Sequence, residues 1–453
     1  MKVSLKKLLL LLSIISTALL IVMDYDRQYN ITILLPITFY ILIVSLYRDR
    51  NYNYGPCSKS LMAFYGFRMC ILPVICAYGN FWLEADKSVI LNKYNYGIML
   101  ICLECCVVLL ALTYFCKKNA YKFSYFSSKD GLSLSRRPFF MNVVWGLSLI
   151  FFLLYFFIGQ DYFHFVMSEM DEVLKLESTA GHSGVWYLED FIGILFRPLL
   201  SFMIVGYFMK KRSKKGYCII ALVIIANFVI VSDRRIFSLL IAGTCIYYII
   251  SVTNNKKVLF SLNILLGVGA IVIIYFFLFF QINSGAEMLS RTVQHYFSGP
   301  SLNAMALLAN EKVNYTLGDF YKLMHNNSYI LCYFFSSIPV DDGYEDLFGF
   351  YAWTPMFMGG IRYFGILSIL FLVYFVKFIV SCDKKLGQHN DIVFKFIYLF
   401  LGVCMACYMI MYSLPLIIYF MLSTNLIYRY IMGDLFKTRK KIKKENTPIS
   451  WSK

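Results

Sequence analysis

Three short stretches carry the residue types that could do chemistry. Asp233-Arg234-Arg235 joins two apolar runs with almost no loop. Arginine binds phosphate through a planar fork and keeps its charge at any working pH, so two of them in one turn form a dense anion site. They can equally anchor the turn at a membrane interface, with Asp233 neutralising one of them. Arg291 and His295 stand four residues apart, followed by Tyr296. On a helix that spacing puts both on one face, where His295 could relay a proton or donate to a developing phosphate charge. A solvated amphipathic turn has the same pattern. Gly359-Gly360-Ile-Arg362-Tyr-Phe-Gly365 opens a later apolar run, and its glycines allow close backbone approach beside Arg362. Arg362 is read either as a third phosphate contact or as an anchor.

The composition says what must hold these groups. Of 453 residues, 59% are hydrophobic and 15% charged, with a mean hydropathy of +0.64. A water-soluble domain carries roughly 25% charged residues, so this chain has too little polar surface to coat a globule. The net charge of +17 is not a nucleic-acid footprint, because the basic residues lie in clusters between apolar runs. The 36 Tyr and 42 Phe suit lipid-facing and interfacial positions.

A spanning helix needs about 20 apolar residues, which gives about 12 candidates: 8–23, 31–47, 61–79, 96–116, 139–159, 187–209, 216–232, 236–252, 258–281, 356–381, 391–413 and 416–432. The run after Lys2, Lys6 and Lys7 ends without a small-residue cleavage pattern and reads as an uncleaved first span. With both termini in the cytoplasm, Lys and Arg in the inner connections outnumber those outside roughly threefold. The chain is therefore expected to be an all-α, multi-pass membrane domain over 1–453. Two long outer loops follow, an acidic one at 160–186 and a large one at 282–355. The large loop should hold short helices, one over 302–311 capped by Ser301 and one behind a Thr316–Asp319 capping box, with an apolar stretch at 328–340.

Other charges fall inside the spans. Arg68, Glu104 and Arg197 are costly there and are expected to face the bundle interior; Arg68 and Glu104 are placed to pair. Arg68 and Arg197 could also line a substrate groove. His325 is the second choice for a catalytic histidine. Most of the 13 Cys lie in apolar runs and read as small hydrophobes; Cys102, Cys105 and Cys106 lack a nearby His or second cluster to complete a metal site. No phosphate-loop, dinucleotide or zinc signature occurs.

In this layout the chain resembles the Wzy-type polymerases that build O-antigen or capsule chains. The likeness rests on the number of spans, the turn Ser232-Asp-Arg-Arg235, the segment Arg291-Thr-Val-Gln-His-Tyr-Phe-Ser-Gly-Pro300 and the stretch Phe350-Tyr-Ala-Trp-Thr-Pro-Met-Phe-Met-Gly-Gly-Ile-Arg-Tyr-Phe-Gly365. The resemblance implies a GT-C-like glycosyltransferase of the bacterial inner membrane that needs no metal or other cofactor. Its substrates would be undecaprenyl-pyrophosphate-linked oligosaccharides, and its partner a chain-length co-polymerase. On that reading Arg234, Arg235 and Arg362 bind the pyrophosphate, Arg291 and His295 are catalytic, and Arg68, Arg197 and Tyr296 line the groove. Two alternatives stay open. A flippase for the same lipid-linked unit would need an internal repeat and short loops. An O-antigen ligase would share the donor chemistry.

Overall fold

A computed structural model describes residues 5–23, 27–46, 54–79, 87–118, 184–211, 214–229, 235–252, 299–312, 316–326, 355–388, 391–411 and 414–421, with single positions 146, 293, 297, 338 and 426. The expected spans 139–159 and 258–281 and the acidic loop 160–186, apart from the first residues of a helix at its end, lie outside the described residues. Among those described the chain is helical and has no strand.

The helices are α1 (Leu5–Val22), α2 (Leu34–Leu46), α3 (Pro56–Gly66), α4 (Leu72–Gly79), α5 (Lys87–Lys118), α6 (Gly184–Lys211), α7 (Lys214–Val229), α8 (Arg235–Val252), α9 (Pro300–Lys312), α10 (Leu317–Asn326), α11 (Met356–Phe364), α12 (Ser368–Gln388), α13 (Ile392–Met411) and α14 (Leu414–Phe420). Among the described residues six stretches are long and apolar enough to cross a membrane: Leu5–Val22, Tyr29–Leu46, Pro56–Gly79, Lys93–Cys116, Met356–Gln388 and Ile392–Met411. α1 exposes Leu8, Leu11, Ile14, Ile15 and Leu19, as a lipid-facing helix would. α13 is apolar and buried all round, so it is the centre of the bundle. Phe202 of α6 stacks on its Phe396 at 4.9 Å, and Tyr248 of α8 meets the same ring at 4.5 Å.

One end of the bundle is locked by Asp383, near the end of α12. Its carboxylate accepts from the Cys57 and Ser58 backbone N–H groups at 2.9 Å each and from Ser58 Oγ at 2.6 Å. These N–H groups belong to the first turn of α3, where a helix has no internal acceptors. The N-cap residue, Gly55, has no side chain to offer. A Cβ there would lie 2.2 Å from Asp383 Cγ, so the cap is supplied from another helix and the N-cap must be glycine.

At the other end the Met356–Gln388 stretch is not one rod. Its 33 residues would run about 50 Å as a continuous helix, against a hydrocarbon core of about 30 Å. The chain breaks at Gly365, whose φ of 56° only glycine adopts without strain, and passes through a 3-10 turn into α12. A Cβ on Gly360 would lie 2.7 Å from Ser368 Cβ; eight residues of unbroken helix would separate the two by about 12 Å. α11 therefore folds back on the head of α12. Sequence pattern had placed a single span from 356.

The large loop also departs from expectation. α9 starts at Pro300, so Ser301 is inside it and buried rather than capping it. Leu302, Asn303, Ala304, Met305, Ala306 and Ala309 are buried as well, and α9 lies along α5 rather than standing clear in solvent. Gly97 of α5 makes room: a Cβ there would sit 2.6 Å from the Pro300 carbonyl oxygen. Just ahead, Phe297 stacks on Phe67 at 4.2 Å. A helix this poor in charge gains more by burying its small and apolar face than by staying in water.

Candidate anion site

Arg362 lies at the end of the bundle opposite Asp383, on α11, with α9 bonded to it and α10 packed on the residues that follow it. This is the end that the Lys and Arg bias predicts to be external. Arg362 sits in the last turn of α11, fixed by the Gly365 break behind it. Its Nε donates to Asn310 Oδ1 at 2.7 Å, from the last turn of α9. The amide acceptor sets the plane of the guanidinium and leaves its charge uncancelled by that contact. The neighbouring carboxylate, Glu311, is bound to Lys93 of α5, which also lies over the Tyr96 ring.

α10 packs beside α11. Its Phe320 packs on Tyr363 at 5.2 Å and Phe364 at 5.0 Å, the two residues that follow Arg362. The Thr316 capping box forms as the sequence expected. Asp319 N donates to Thr316 Oγ1 at 3.3 Å, while Thr316 N and Oγ1 donate to Asp319 Oδ2 at 2.9 and 2.7 Å. The two bonds from Thr316, with a smaller effect of Lys322, hold the Asp319 carboxyl down at about 2. At the far end of α10, His325 is 5% exposed. Its Nδ1 lies 3.4 Å from Asn326 Oδ1, which accepts from Ile338 N at 2.8 Å while Asn326 Nδ2 donates to Ile338 O at 2.7 Å.

The other site residues divide. Arg291, His295, Tyr296 and Arg234 lie outside the described residues. Arg235 is the first residue of α8, and its side chain is likewise not described. Val293 and Phe297, on either side of His295, are described: Phe297 N donates to Val293 O at 3.0 Å and Val293 is buried. Arg68 pairs with Glu104, Nη1 to Oε1 at 2.8 Å, and Tyr65 donates to the same oxygen at 2.6 Å. At 1% exposure Arg68 lies in the interior of the bundle. It lies in a π-helical turn, Phe67–Ile71, a geometry that inserts one residue per turn and re-aims the side chain. Arg197 is half-buried and bonds Asn227 at 3.1 Å. Among the described residues no three His, Cys, Asp or Glu side chains gather as a metal-ligand cluster.

Sequence reasoning did not single out Asn310, Asn227 or Asp383. Asn227 carried a usable signal, since a polar side chain inside an apolar helix needs a partner. No protein-family model matches this chain, and no curated protein or solved structure matches it.

Proposed function

We propose that this chain is a glycosyltransferase of the bacterial inner membrane, a Wzy-type polymerase of about 12 spans with a GT-C-like fold. It joins undecaprenyl-pyrophosphate-linked oligosaccharide units at the external face, with both termini in the cytoplasm. The observation that carries the reading is Arg362 held by Asn310 at the end of the bundle opposite the Asp383 lock.

The chemistry calls for such a group. A hydroxyl oxygen of the acceptor unit attacks the anomeric carbon of the donor chain, and the bond from that carbon to the pyrophosphate oxygen breaks. The lipid pyrophosphate leaves with the electron pair, and the hydroxyl proton passes to a base. Negative charge grows on the leaving oxygens, so fixed guanidiniums aimed there stabilise the transition state more than the ground state. Arg234, Arg235 and Arg362 hold the pyrophosphate; Arg291 and His295 complete the clamp or take the proton. Tyr296 lines the glycan path, and a separate chain-length co-polymerase sets the extent of the product.

The test is the surface-polysaccharide ladder of a deletion strain. Collapse from long chains to a single repeat unit, restored by the wild-type gene and not by Arg362→Ala, is the expected result. Loss of every unit with precursor stranded inside would mean a flippase instead. Polymer accumulating outside without attachment would mean a ligase.

A further inference from the structure

We infer that α10 is an interfacial helix. Leu317 and Tyr321, with Ile366 and Leu367 of the neighbouring turn, form an apolar ledge seated in the phospholipid leaflet at the Arg362 end of the bundle. This holds whatever reaction the chain performs.

α10 places Leu317, Phe320, Tyr321 and Met324 on one stripe, with Asp319 and Lys322 on the other side. One flank of the stripe is used within the protein, where Phe320 packs on Tyr363 and Phe364. The rest is uncovered. Leu317 is 63% exposed and Tyr321 62%, whereas the side chains of Lys322 and Asp319 are 40% and 21% exposed. A helix on a water-facing surface turns its apolar stripe in and its charges out, the reverse of this. α9, also short, shows the covered alternative: its Leu302 and Met305 are buried, and the helix lies along α5. The uncovered patch continues on the turn between α11 and α12, where Ile366 is 82% exposed and Leu367 is exposed as well.

Depth says what covers it. From Ile366 to Lys384 the chain rises about 27 Å, close to one hydrocarbon thickness of about 30 Å. With Lys384 and Lys385 at one membrane boundary, Ile366 and Leu367 stand at the other. Leu370 and Tyr374, one and two turns farther on, are exposed on the same side of α12, the lipid-facing side of a membrane-length stretch. Lys377, lower on that side, is nearer the Lys384 boundary, toward which a lysine snorkels. α10 is tied to the level of Ile366. Phe364 lies 5.0 Å from Phe320 and 5.0 Å from Phe371, in the first turn of α12, so α10 cannot stand clear of the span. A second marker agrees. Arg362 bonds Asn310, the adjoining Glu311 binds Lys93, and the apolar stretch of α5 begins at Lys93. Lys93 lies over Tyr96, which is exposed; a lysine with an exposed tyrosine suits the headgroup boundary.

Seating α10 in the leaflet fixes more than the helix itself. Leu317 leaves water, while Tyr321 buries its ring and keeps its hydroxyl wet, as interfacial tyrosines do. Because Phe320 grips the two residues after Arg362, the ledge holds that guanidinium at the depth of the lipid phosphates. A second copy of the chain is the other candidate occupant. It would turn the Lys377 side of α12 toward protein. Among the described residues, none of the six membrane-length stretches exposes a carboxylate to receive that ammonium.

The experiment is photo-crosslinking of the full-length protein in phosphatidylethanolamine–phosphatidylglycerol vesicles, with adducts identified by mass spectrometry. Benzoylphenylalanine is introduced singly at Leu317, Tyr321 and Ile366, at Leu370 as the control in lipid, and at Lys322 as the control on the polar side. An apolar side chain of this size prefers apolar surroundings by roughly tenfold or more. Lipid adducts at Leu317 and Tyr321 are therefore expected to approach the Leu370 level and to exceed those at Lys322 by about tenfold. Adducts at Leu317 and Tyr321 no more frequent than at Lys322 overturn the proposal, since α10 would then stand in water. Crosslinks from these two positions to protein in place of lipid overturn it as well, whether they reach a second copy, seen as a doubled mass, or another part of the same chain. Hydroxyl-radical footprinting of the unsubstituted protein in the same vesicles decides the matter where a labelled variant does not insert. Tyr321 should be protected as well as Tyr374 on the lipid-facing side of α12; oxidation of Tyr321 as fast in vesicles as in the unfolded chain overturns the assignment.

Discussion

Removing the Asp383 carboxylate tests whether the bundle is locked from one helix to the start of another. In Asp383→Ala, the Cys57 and Ser58 N–H groups and the Ser58 hydroxyl lose their acceptor in a site where Asp383 is 3% exposed. Each unsatisfied buried donor costs about 1–3 kcal/mol, and the charge at the α3 N-terminus adds about 0.3–2 kcal/mol. Relief of the buried charge itself offsets part of the sum. A net loss of about 3–5 kcal/mol is expected. Asp383→Asn should lose less, about 2 kcal/mol, because its amide oxygen can accept one N–H while its NH2 faces the other donors. The assay is thermal unfolding of the detergent-purified protein. Gly55→Ala serves as an independent probe, since its Cβ would collide with the same carboxylate. The order of stability should be wild type, then Asp383→Asn, then Asp383→Ala. If Asp383→Ala melts within a degree of wild type, the cap contributes nothing and the reasoning fails.

Arg68→Ala should cost about 3–5 kcal/mol by leaving Glu104 buried and unpaired, and Arg68→Ala with Glu104→Gln should recover part of it; folded yield in membranes reads both. Gly365→Ala forces φ 56° on a residue with a Cβ, a strain of about 1–3 kcal/mol. Because the break positions Arg362, the polymerase activity proposed above should fall more steeply than folded yield; equal falls would show that the break serves folding alone. The Asp319 carboxyl, held near 2 against an ordinary 3.8, makes its cap fully present above about 4 and lost as pH falls through 2. Hydrogen exchange in the first turn of α10 should accelerate over that window, and Asp319→Asn should flatten the pH dependence.

Six of the expected spans were legible because length and hydropathy leave few alternatives: α1, α5 and α13, for example, lie close to where the apolar runs place them. The Arg68–Glu104 pair was legible too, since two costly charges on neighbouring helices have a strong reason to meet. The rest depended on partners distant in sequence. Gly365 is one glycine in an apolar run, and only the packing of Gly360 against Ser368 turns it into a break. Asp383, followed by Lys384 and Lys385, looks like the polar end of a span; its role is visible only once α3 arrives, more than 300 positions earlier. α9 was read as a loop helix because it falls within the long outer connection 282–355. Its burial follows from Gly97, whose missing Cβ has no meaning until the Pro300 carbonyl is placed against it.

The partner given to each arginine separates structure from chemistry. Inside an apolar bundle a guanidinium must be hydrogen-bonded, and a carboxylate is the strongest acceptor on offer. Arg68 takes that solution and is sealed. Arg362 and Arg197 lie on different helices and each bonds through Nε to an asparagine, Asn310 and Asn227. An amide binds more weakly than a carboxylate and cancels no charge. Such a contact sets the plane of the guanidinium without itself cancelling the charge. On the function proposed above, replacing Asn310 by a carboxylate should stabilise the fold and weaken anion binding at Arg362 together. At Arg68, exchanging Glu104 for glutamine should do the reverse to stability and leave anion binding untouched.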